Sequence, residues 1–540
     1  MPVHDPRSAD ALSWLQGGAV PLDRAGPQDW PYDAALAAAF RETGGIAVIE
    51  TIAARHPDKV AVDDGARSLT YSVFLRNVFA LCERILDRTS PGDVITSVCG
   101  HTCESTVIIM AAAMSGRIVV PIDSGHPIER QKAIFDQSGA ALILTPRSES
   151  LDDLYTSSGL PVIPVDLTAP ADTARPPHRH DPDAPLFVSF TSGSTGRPKG
   201  IVSGGRYGGQ ALQHFVDMFH INQHDVILGL ASLSTGGSRD AFAALGTGAK
   251  IRLLDVRGSG ISQLVGIIAR EQVTILSFVP SALRMILAID GIEQAFRSLR
   301  VLDLHGERIL ASDIALFRAK LPPTCHISVT MGSVEAGAVF SWFVEDDKIE
   351  GETVPVGYLL PGRRVTLLPF EQGSEENVGQ LVVRGAMALG AWQNGRIAGG
   401  PFIEDPEDAA SRIYSMGDLV RLRPDGLFEY AGRVDRRVKI RGLWADLGDI
   451  ELAMQAIQGI DEAVAVATAA DGEADTIAVY VKATGAHRPS QAFIRAEIAA
   501  LTADHMVPTQ IFYVSEIPRL ANFKVDLMRL TRLSEEFPHN

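Results

Sequence analysis

Leu186-Phe187-Val188-Ser189-Phe190 runs directly into Thr191-Ser192-Gly193-Ser194-Thr195-Gly196-Arg197-Pro198-Lys199-Gly200. The first five residues read as an apolar strand, and the next ten form a loop with three glycines, four hydroxyls and a lysine. Glycine lets backbone N–H groups approach an anion, hydroxyls donate to phosphate oxygens, and a lysine adds a mobile positive charge. The loop is not a Walker A loop. The Gly-x4-Gly-Lys-Ser/Thr spacing is absent, and Pro198 precedes the lysine.

Around this stretch the chain alternates strand and helix. Asp93-Val94-Ile95 opens a strand, residues 103–114 read as a helix, and Ile118-Val119-Val120-Pro121-Ile122 is a second apolar run. A helix over residues 127–137 leads to Ala141-Leu142-Ile143-Leu144. Apolar strands separated by helical patterns indicate βαβ units and a parallel sheet covered on both faces. The alternation resumes after a proline-rich loop at residues 176–185 (Pro176, Pro177, Pro182, Pro185) and continues to about residue 430. Beyond Arg433 lies a stretch that reads as a small α+β module, with Ile450, Met454 and Ile457 on one helical face and Ile494, Ile498 and Leu501 on another. Val464-Ala465-Val466 and Ile477-Ala478-Val479-Tyr480-Val481 read as its strands. The expected organisation is an N-terminal arm at residues 1–45, a large domain of mostly parallel sheets at 46–434, and a small mobile domain at 435–540.

Composition narrows the function classes. The 540 residues are 46% hydrophobic, ample for a large core. With 65 acidic and 49 basic residues, the formal net charge of −16 argues against nucleic acid as a partner. No apolar stretch has the length of a membrane helix, and Met1-Pro2-Val3-His4-Asp5 does not begin a secretory signal, so a cytoplasmic enzyme without a membrane partner is expected. Four cysteines (Cys82, Cys99, Cys103, Cys325) are too few for a disulfide scaffold and read as small buried hydrophobes.

The loop at residues 191–200 resembles the phosphate loop of the adenylate-forming superfamily, which includes nonribosomal peptide synthetase adenylation domains, acyl-CoA synthetases and firefly luciferases. The resemblance covers roughly residues 45–530 and recurs in order. Leu69-Thr70-Tyr71 resembles the first core motif; Val120-Pro121-Ile122-Asp123 with Pro127-Ile128-Glu129-Arg130 resembles the second, in its peptide-synthetase form. Met331-Gly332-Ser333-Val334-Glu335 stands at the place of Tyr-Gly-Pro-Thr-Glu. Tyr414-Ser415-Met416-Gly417-Asp418, the run from Gly432-Arg433-Val434-Asp435 to Arg441-Gly442, Leu447-Gly448-Asp449-Ile450-Glu451 and Asn522-Phe523-Lys524-Val525-Asp526 follow on schedule.

The resemblance implies a two-step ligation. A carboxylate attacks the α-phosphorus of Mg-ATP, giving an acyl-adenylate and pyrophosphate, and a thiol then displaces AMP. It gives Lys524 the task of bridging substrate carboxylate and α-phosphate, which a flexible ammonium can do. It gives Glu335 a Mg²⁺, Asp418 the ribose hydroxyls, Arg433 the ribose or phosphate, and Gly306 and Glu307 the adenine edge. Thr191, Ser192, Gly193, Ser194, Thr195, Gly196 and Lys199 would cradle phosphates, and Met331, Gly332 and Ser333 would line the nucleotide. Asp435 would be the hinge of a swivelling C-terminal domain, bringing the Arg441-Gly442 loop to the incoming thiol. Three departures stand out: Met331 replaces the stacking aromatic, Val334 removes a hydroxyl, and Phe523 replaces the glycine before Lys524.

Gapless matching puts Thr235 where amino-acid-activating relatives carry the aspartate for the α-ammonium. A hydroxyl cannot neutralise an ammonium in a partly dry pocket, so an ordinary α-amino acid bound in the usual way is disfavoured. The same matching lines the pocket with Gly236, Arg239, Phe278, Asp303, His305, Thr330, Ala338 and Val339. Arg239 and Asp303 either pair with each other, or Arg239 meets an anionic substrate group, or Asp303 takes an amine at a displaced position. The expected substrate is an atypical amino acid or a small polar carboxylic acid. Only 16 residues follow Lys524, so the phosphopantetheine acceptor is expected on a carrier protein supplied in trans. Free CoA as acceptor, and a non-catalytic nucleotide-binding regulator, are the competing readings.

Overall fold

In a computed structural model, the protein is described at residues 13–18, 30–43, 45–147, 152–167, 181–192, 198–289, 291–369, 377–440, 443–470, 473–484, 488–519, 525–527, 529–530 and 532. Among these residues, two large mixed sheets of eight and nine strands lie in one compact unit. That unit comprises residues 1–366, 382–415 and 424–428; the second takes in 367–381, 416–423 and 429–540. The second unit therefore starts before residue 435 along the chain and includes both Asp418 and Arg433.

The eight-stranded sheet has a parallel centre. Pro185–Ser192, Ile118–Asp123, Val94–Cys99, Ala140–Pro146 and Val162–Val165 run side by side. Pro198–Gly204, Gly390–Gln393 and Arg396–Ile397 add antiparallel strands at one edge. The helix Cys103–Met114 starts where Thr102 accepts a hydrogen bond from Ser105 N–H, and every one of its residues is buried. Apart from Glu104, Ser105 and Thr106 in its first turn the helix is apolar on every side, as an enclosed helix should be.

The nine-stranded sheet runs Tyr358–Leu359, Gly337–Phe343, His326–Ser333, Val301–His305, Ile275–Phe278, Val226–Gly229, Lys250–Leu253, Val60–Asp63 and Ser68–Thr70. Its inner strands from Val60–Asp63 to His326–Ser333 are parallel, and its flanks are antiparallel hairpins. Part of the expected N-terminal arm is described. Helix Ala34–Thr43 buries Ala37 and Phe40 in the core that also holds Phe215 and Phe219.

In the second unit, Ile460–Ala470 and Glu473–Ala483 pair antiparallel, and Gln510–Tyr513 joins the latter in parallel. Helices Leu447–Gln455 and Gln491–Leu501 cover this sheet with Ile450, Met454, Ile494 and Ile498, and Ile457 lies in the same core. Leu501 departs from expectation: it is 57% exposed at the end of its helix, where the turn that would cover it stops. All four cysteines are buried and free. No helix among the described residues is long and apolar enough to cross a membrane.

Candidate functional site

The glycine- and hydroxyl-rich stretch spans a β-hairpin. Pro185–Ser192 and Pro198–Gly204 pair in the register Phe190 with Gly200, Thr191 with Lys199 and Ser192 with Pro198. The next helix, Gly205–Phe219, starts only after the second strand, whereas a Walker loop opens a helix directly. Thr191 is half-buried, its hydroxyl donating to the Lys199 carbonyl at 3.4 Å, and Lys199 is exposed. Gly193, Ser194, Thr195 and Gly196 lie outside the described residues, as do Lys524, Phe523, Arg441 and Gly442.

Met331, Gly332 and Ser333 end one strand of a tight hairpin, and Glu335 sits at its turn before Gly337–Phe343 returns. The register shifts between Met331 and Gly332, and Gly332 pairs with Ala338. A side chain at Gly332 would meet the Gly337 carbonyl at 2.1 Å, and Gly337 itself has φ +69°, so the turn needs both glycines. Ala336 N–H donates to Ser333 Oγ at 3.1 Å, and Ala388 N–H donates to the Glu335 carbonyl at 2.9 Å. Among the described residues, none is hydrogen-bonded to the Glu335 carboxylate, and no group of three or more His, Cys, Asp or Glu could hold a metal. A single half-buried carboxylate fits a Mg²⁺ that keeps its waters and shares phosphate oxygens, not an all-protein cage.

The matched pocket residues come from adjoining elements. Phe278 and His305 stand at the C-terminal ends of neighbouring parallel strands, the edge where open α/β sheets receive ligands. His305 pairs in register with Thr330 on the next strand. Ala338 is half-buried and Val339 fully buried on the returning strand. Asp303 is 0% exposed. Its carboxylate accepts from Thr330 Oγ1 at 2.9 Å and Ser277 Oγ at 3.3 Å. Thr330 in turn meets Ser341 Oγ at 3.1 Å.

Thr235 precedes the helix Gly236–Thr247, and its hydroxyl donates to the Ser232 carbonyl at 3.2 Å. Gly236 is exposed. Arg239 does not pair with Asp303. Its Nε and Nη2 donate to Oδ1 of the buried neighbour Asp240 at 3.0 and 2.8 Å, and its guanidinium lies 4.0 Å over the Phe215 ring. Burial works against the charge of Arg239, but Asp240, and less strongly Asp303, outweigh it and raise its pKa. Asp240 is a residue that motif matching passes over. Its signal was its place beside Arg239 in an otherwise uncharged helix start.

Gly306 follows its strand with φ +86°, a left-handed conformation that favours glycine. The Glu307 side chain is engaged elsewhere: it accepts from Ser281 N–H at 3.1 Å and Ser281 Oγ at 2.9 Å, at the start of the helix Pro280–Leu287. In the second unit, Asp418 is buried and accepts from Arg433 Nη1 at 3.0 Å. Arg433 also donates from Nε to Asp435 Oδ1 at 2.8 Å and from Nη2 to Oδ2 at 3.0 Å. The Asp435 hydrogen bond and the Asp418 charge hold the Arg433 pKa above its ordinary value against the effect of burial. Asp418, Arg433 and Asp435 are thus one ion-pair chain, with Asp435 in the short turn Val434–Arg436.

A family profile described as AMP-binding enzyme matches residues 49–391. One of the plipastatin synthase polypeptides of Bacillus subtilis is 29% identical over 89% of this chain and 19% of its own length. Phenyloxazoline synthase MbtB of a Mycobacterium species is 28% identical over 89% of this chain and 41% of its own length. The chain therefore spans less than half of these relatives. Among solved structures, Klebsiella oxytoca NpsA in complex with 3-hydroxyanthranilyl-AMSN superposes with a TM-score of 0.74 at 18% identity, covering 91% of this chain and 99% of that one. That likeness carries the fold alone.

Proposed function

The chain belongs to the AMP-binding enzymes, and from that premise we propose that it is an AMP-forming, acid-activating ligase that loads an atypical amino acid or small polar carboxylic acid onto the phosphopantetheine thiol of a separate carrier protein. The Glu335 turn supports this reading: a carboxylate held by its backbone, with no hydrogen-bond partner at its oxygens among the described residues, next to Met331, Gly332 and Ser333.

The chemistry asks for two anions to be brought in line. Substrate carboxylate and triphosphate repel each other, so cationic groups must lower that repulsion at the α-phosphorus. Lys199 and the loop hydroxyls would receive phosphate oxygens, and the Lys524 ammonium would lie between the attacking carboxylate and the α-phosphate. Mg²⁺ bound through Glu335 would neutralise charge on the phosphates. Gly306 would present backbone to the adenine, while Glu307 fixes the neighbouring helix. Asp418 would accept from the ribose hydroxyls with Arg433 orienting it. Asp435 would serve as pivot for the thiol-transfer posture.

The substrate class follows from the charges. Thr235 offers no carboxylate, and its hydroxyl is committed to Ser232. Asp240 takes the Arg239 guanidinium, while Asp303 is buried with only hydroxyl donors among the described residues. That balance favours a substrate amine received at Asp303 over a second substrate carboxylate received at Arg239.

ATP–pyrophosphate exchange across a panel of carboxylic acids, including β-amino, aryl and hydroxy acids, tests the first step. Thioester formation with a phosphopantetheinylated carrier, set against free CoA, tests the second. ATP binding without acid-dependent exchange for any acid would replace this reading with a regulator. Faster transfer to CoA would make the protein an acyl-CoA synthetase.

A further inference from the structure

Arg363 is 1% exposed and makes no ion pair with any described carboxylate. Instead its Nε donates to the Ala338 carbonyl at 3.1 Å, and its Nη1 donates to the Ala386 carbonyl. Its Nη2 is buried without a hydrogen-bond partner among the described residues. Burial lowers its pKa, with Tyr207 opposing that effect, and nearby His214 is held neutral, its pKa pushed down to about 3 by burial and then by the Arg363 charge. A guanidinium kept in such a place with only backbone acceptors is costly.

Its acceptors explain what it does. Ala338 closes the turn that carries Glu335, and Ala386 lies two residues before Ala388, whose N–H donates to the Glu335 carbonyl. From the other side, Tyr207 OH donates to the Val334 carbonyl at 3.0 Å. Gly337 sits between the two: a side chain there would come within 3.0 Å of Arg363 Nη2 and 3.1 Å of Tyr207 OH. Residues 334–338 are therefore gripped at both ends by two buried side chains drawn from distant parts of the chain.

We propose that Arg363 and Tyr207 are positioning residues that clamp the 334–338 turn and set Glu335 for the nucleotide-bound Mg²⁺, an inference that rests on the metal role given to Glu335 above. Neither touches the reacting atoms. Their action passes through the backbone, so it falls on metal affinity and turn rigidity more than on the chemical step at saturating metal.

Two readouts test this in the full chain. The first is hydrogen–deuterium exchange of residues 334–338 without nucleotide. Tyr207→Phe removes one oxygen and keeps the ring, and loss of its hydrogen bond should speed exchange there about fivefold. Arg363→Met should do so by more. The second is the Mg²⁺ concentration for half-maximal pyrophosphate exchange, expected to rise about tenfold in Arg363→Met with kcat at saturating Mg²⁺ little changed. Combining either substitution with Glu335→Gln should add nothing to the metal requirement of Glu335→Gln alone. Unchanged exchange in Tyr207→Phe overturns the clamp, even if Arg363→Met does not fold. Faster turn exchange with an unaltered metal requirement, or effects that multiply with Glu335→Gln, overturns the link to the metal. A Glu335→Gln variant with the parent's metal requirement instead overturns the role of Glu335, and the deuterium readout still decides the clamp.

Discussion

Asp303 and Glu335 belong to the same nine-stranded sheet and are held in opposite ways. Asp303 is fixed by its side chain: it is fully buried, with both oxygens hydrogen-bonded to hydroxyls. Glu335 is fixed by its backbone, through the turn around it, while none of the described residues hydrogen-bonds its carboxylate. Hydroxyls can orient a carboxylate without cancelling its charge, so Asp303, as the proposed amine site, would be pre-set for a cation of one geometry. An unengaged carboxylate on a rigid turn suits an ion that arrives with its own waters and phosphates. In the proposed roles the first arrangement would select, and the second would accommodate.

The largest effect should come from a step that both carboxylates serve. Lys524→Ala is expected to lower pyrophosphate exchange at least ~10²-fold, as for loss of a transition-state donor; activity within threefold of the parent would remove Lys524 from the mechanism. Asp303→Asn sharpens the contrast. It should cut kcat/KM about 30-fold for acids bearing an amine, the cost of stripping a partner from a buried charge, and hardly affect their des-amino analogues. Equal losses for both sets would show Asp303 to be structural only. Gly337→Ala probes the backbone-held side. Forcing a side chain into φ +69° should destabilise the fold by about 1–2 kcal/mol in urea unfolding. A pH-dependent effect on the same scale concerns His214, whose pKa falls from 6.5 unfolded to about 3 when buried. Its protonation favours the unfolded chain, so its contribution is complete above pH 6.5 and declines as pH drops toward 3. His214→Gln should flatten the fall of unfolding free energy between pH 6.5 and 4 by about 1.4 kcal/mol per unit at most.

Local periodicity was enough for the elements that position the site. The helix Cys103–Met114 was legible because an apolar run follows a capping threonine, and the inner strands because parallel strands are apolar on both faces. The 191–200 stretch gave the loop but not that it spans a hairpin, since pairing with a following strand leaves no mark in the loop itself. Leu501 has the right spacing for the core but stands at the last residue of its helix, beyond cover. The Arg239–Asp240 pair is not legible in the motif because adjacent residues normally point apart along a helix, whereas here the guanidinium turns to Asp240 while lying over the Phe215 ring. Arg363 was invisible for a different reason. A lone arginine beside another, Arg364, reads as surface, and what buries it is a hairpin and a segment contributed by remote sequence.

The cysteines carry one more consequence. An acyl-adenylate is a mixed anhydride, open to attack by any ionised sulfur within reach. Burial pushes the Cys82 and Cys325 thiols up to about 12 and that of Cys103 higher still, and Cys99 is equally enclosed. Under the proposed reaction, the buried native thiols are shielded from acylation by that intermediate. A single cysteine engineered onto the surface would accordingly accept a maleimide dye alone, without the native four needing replacement.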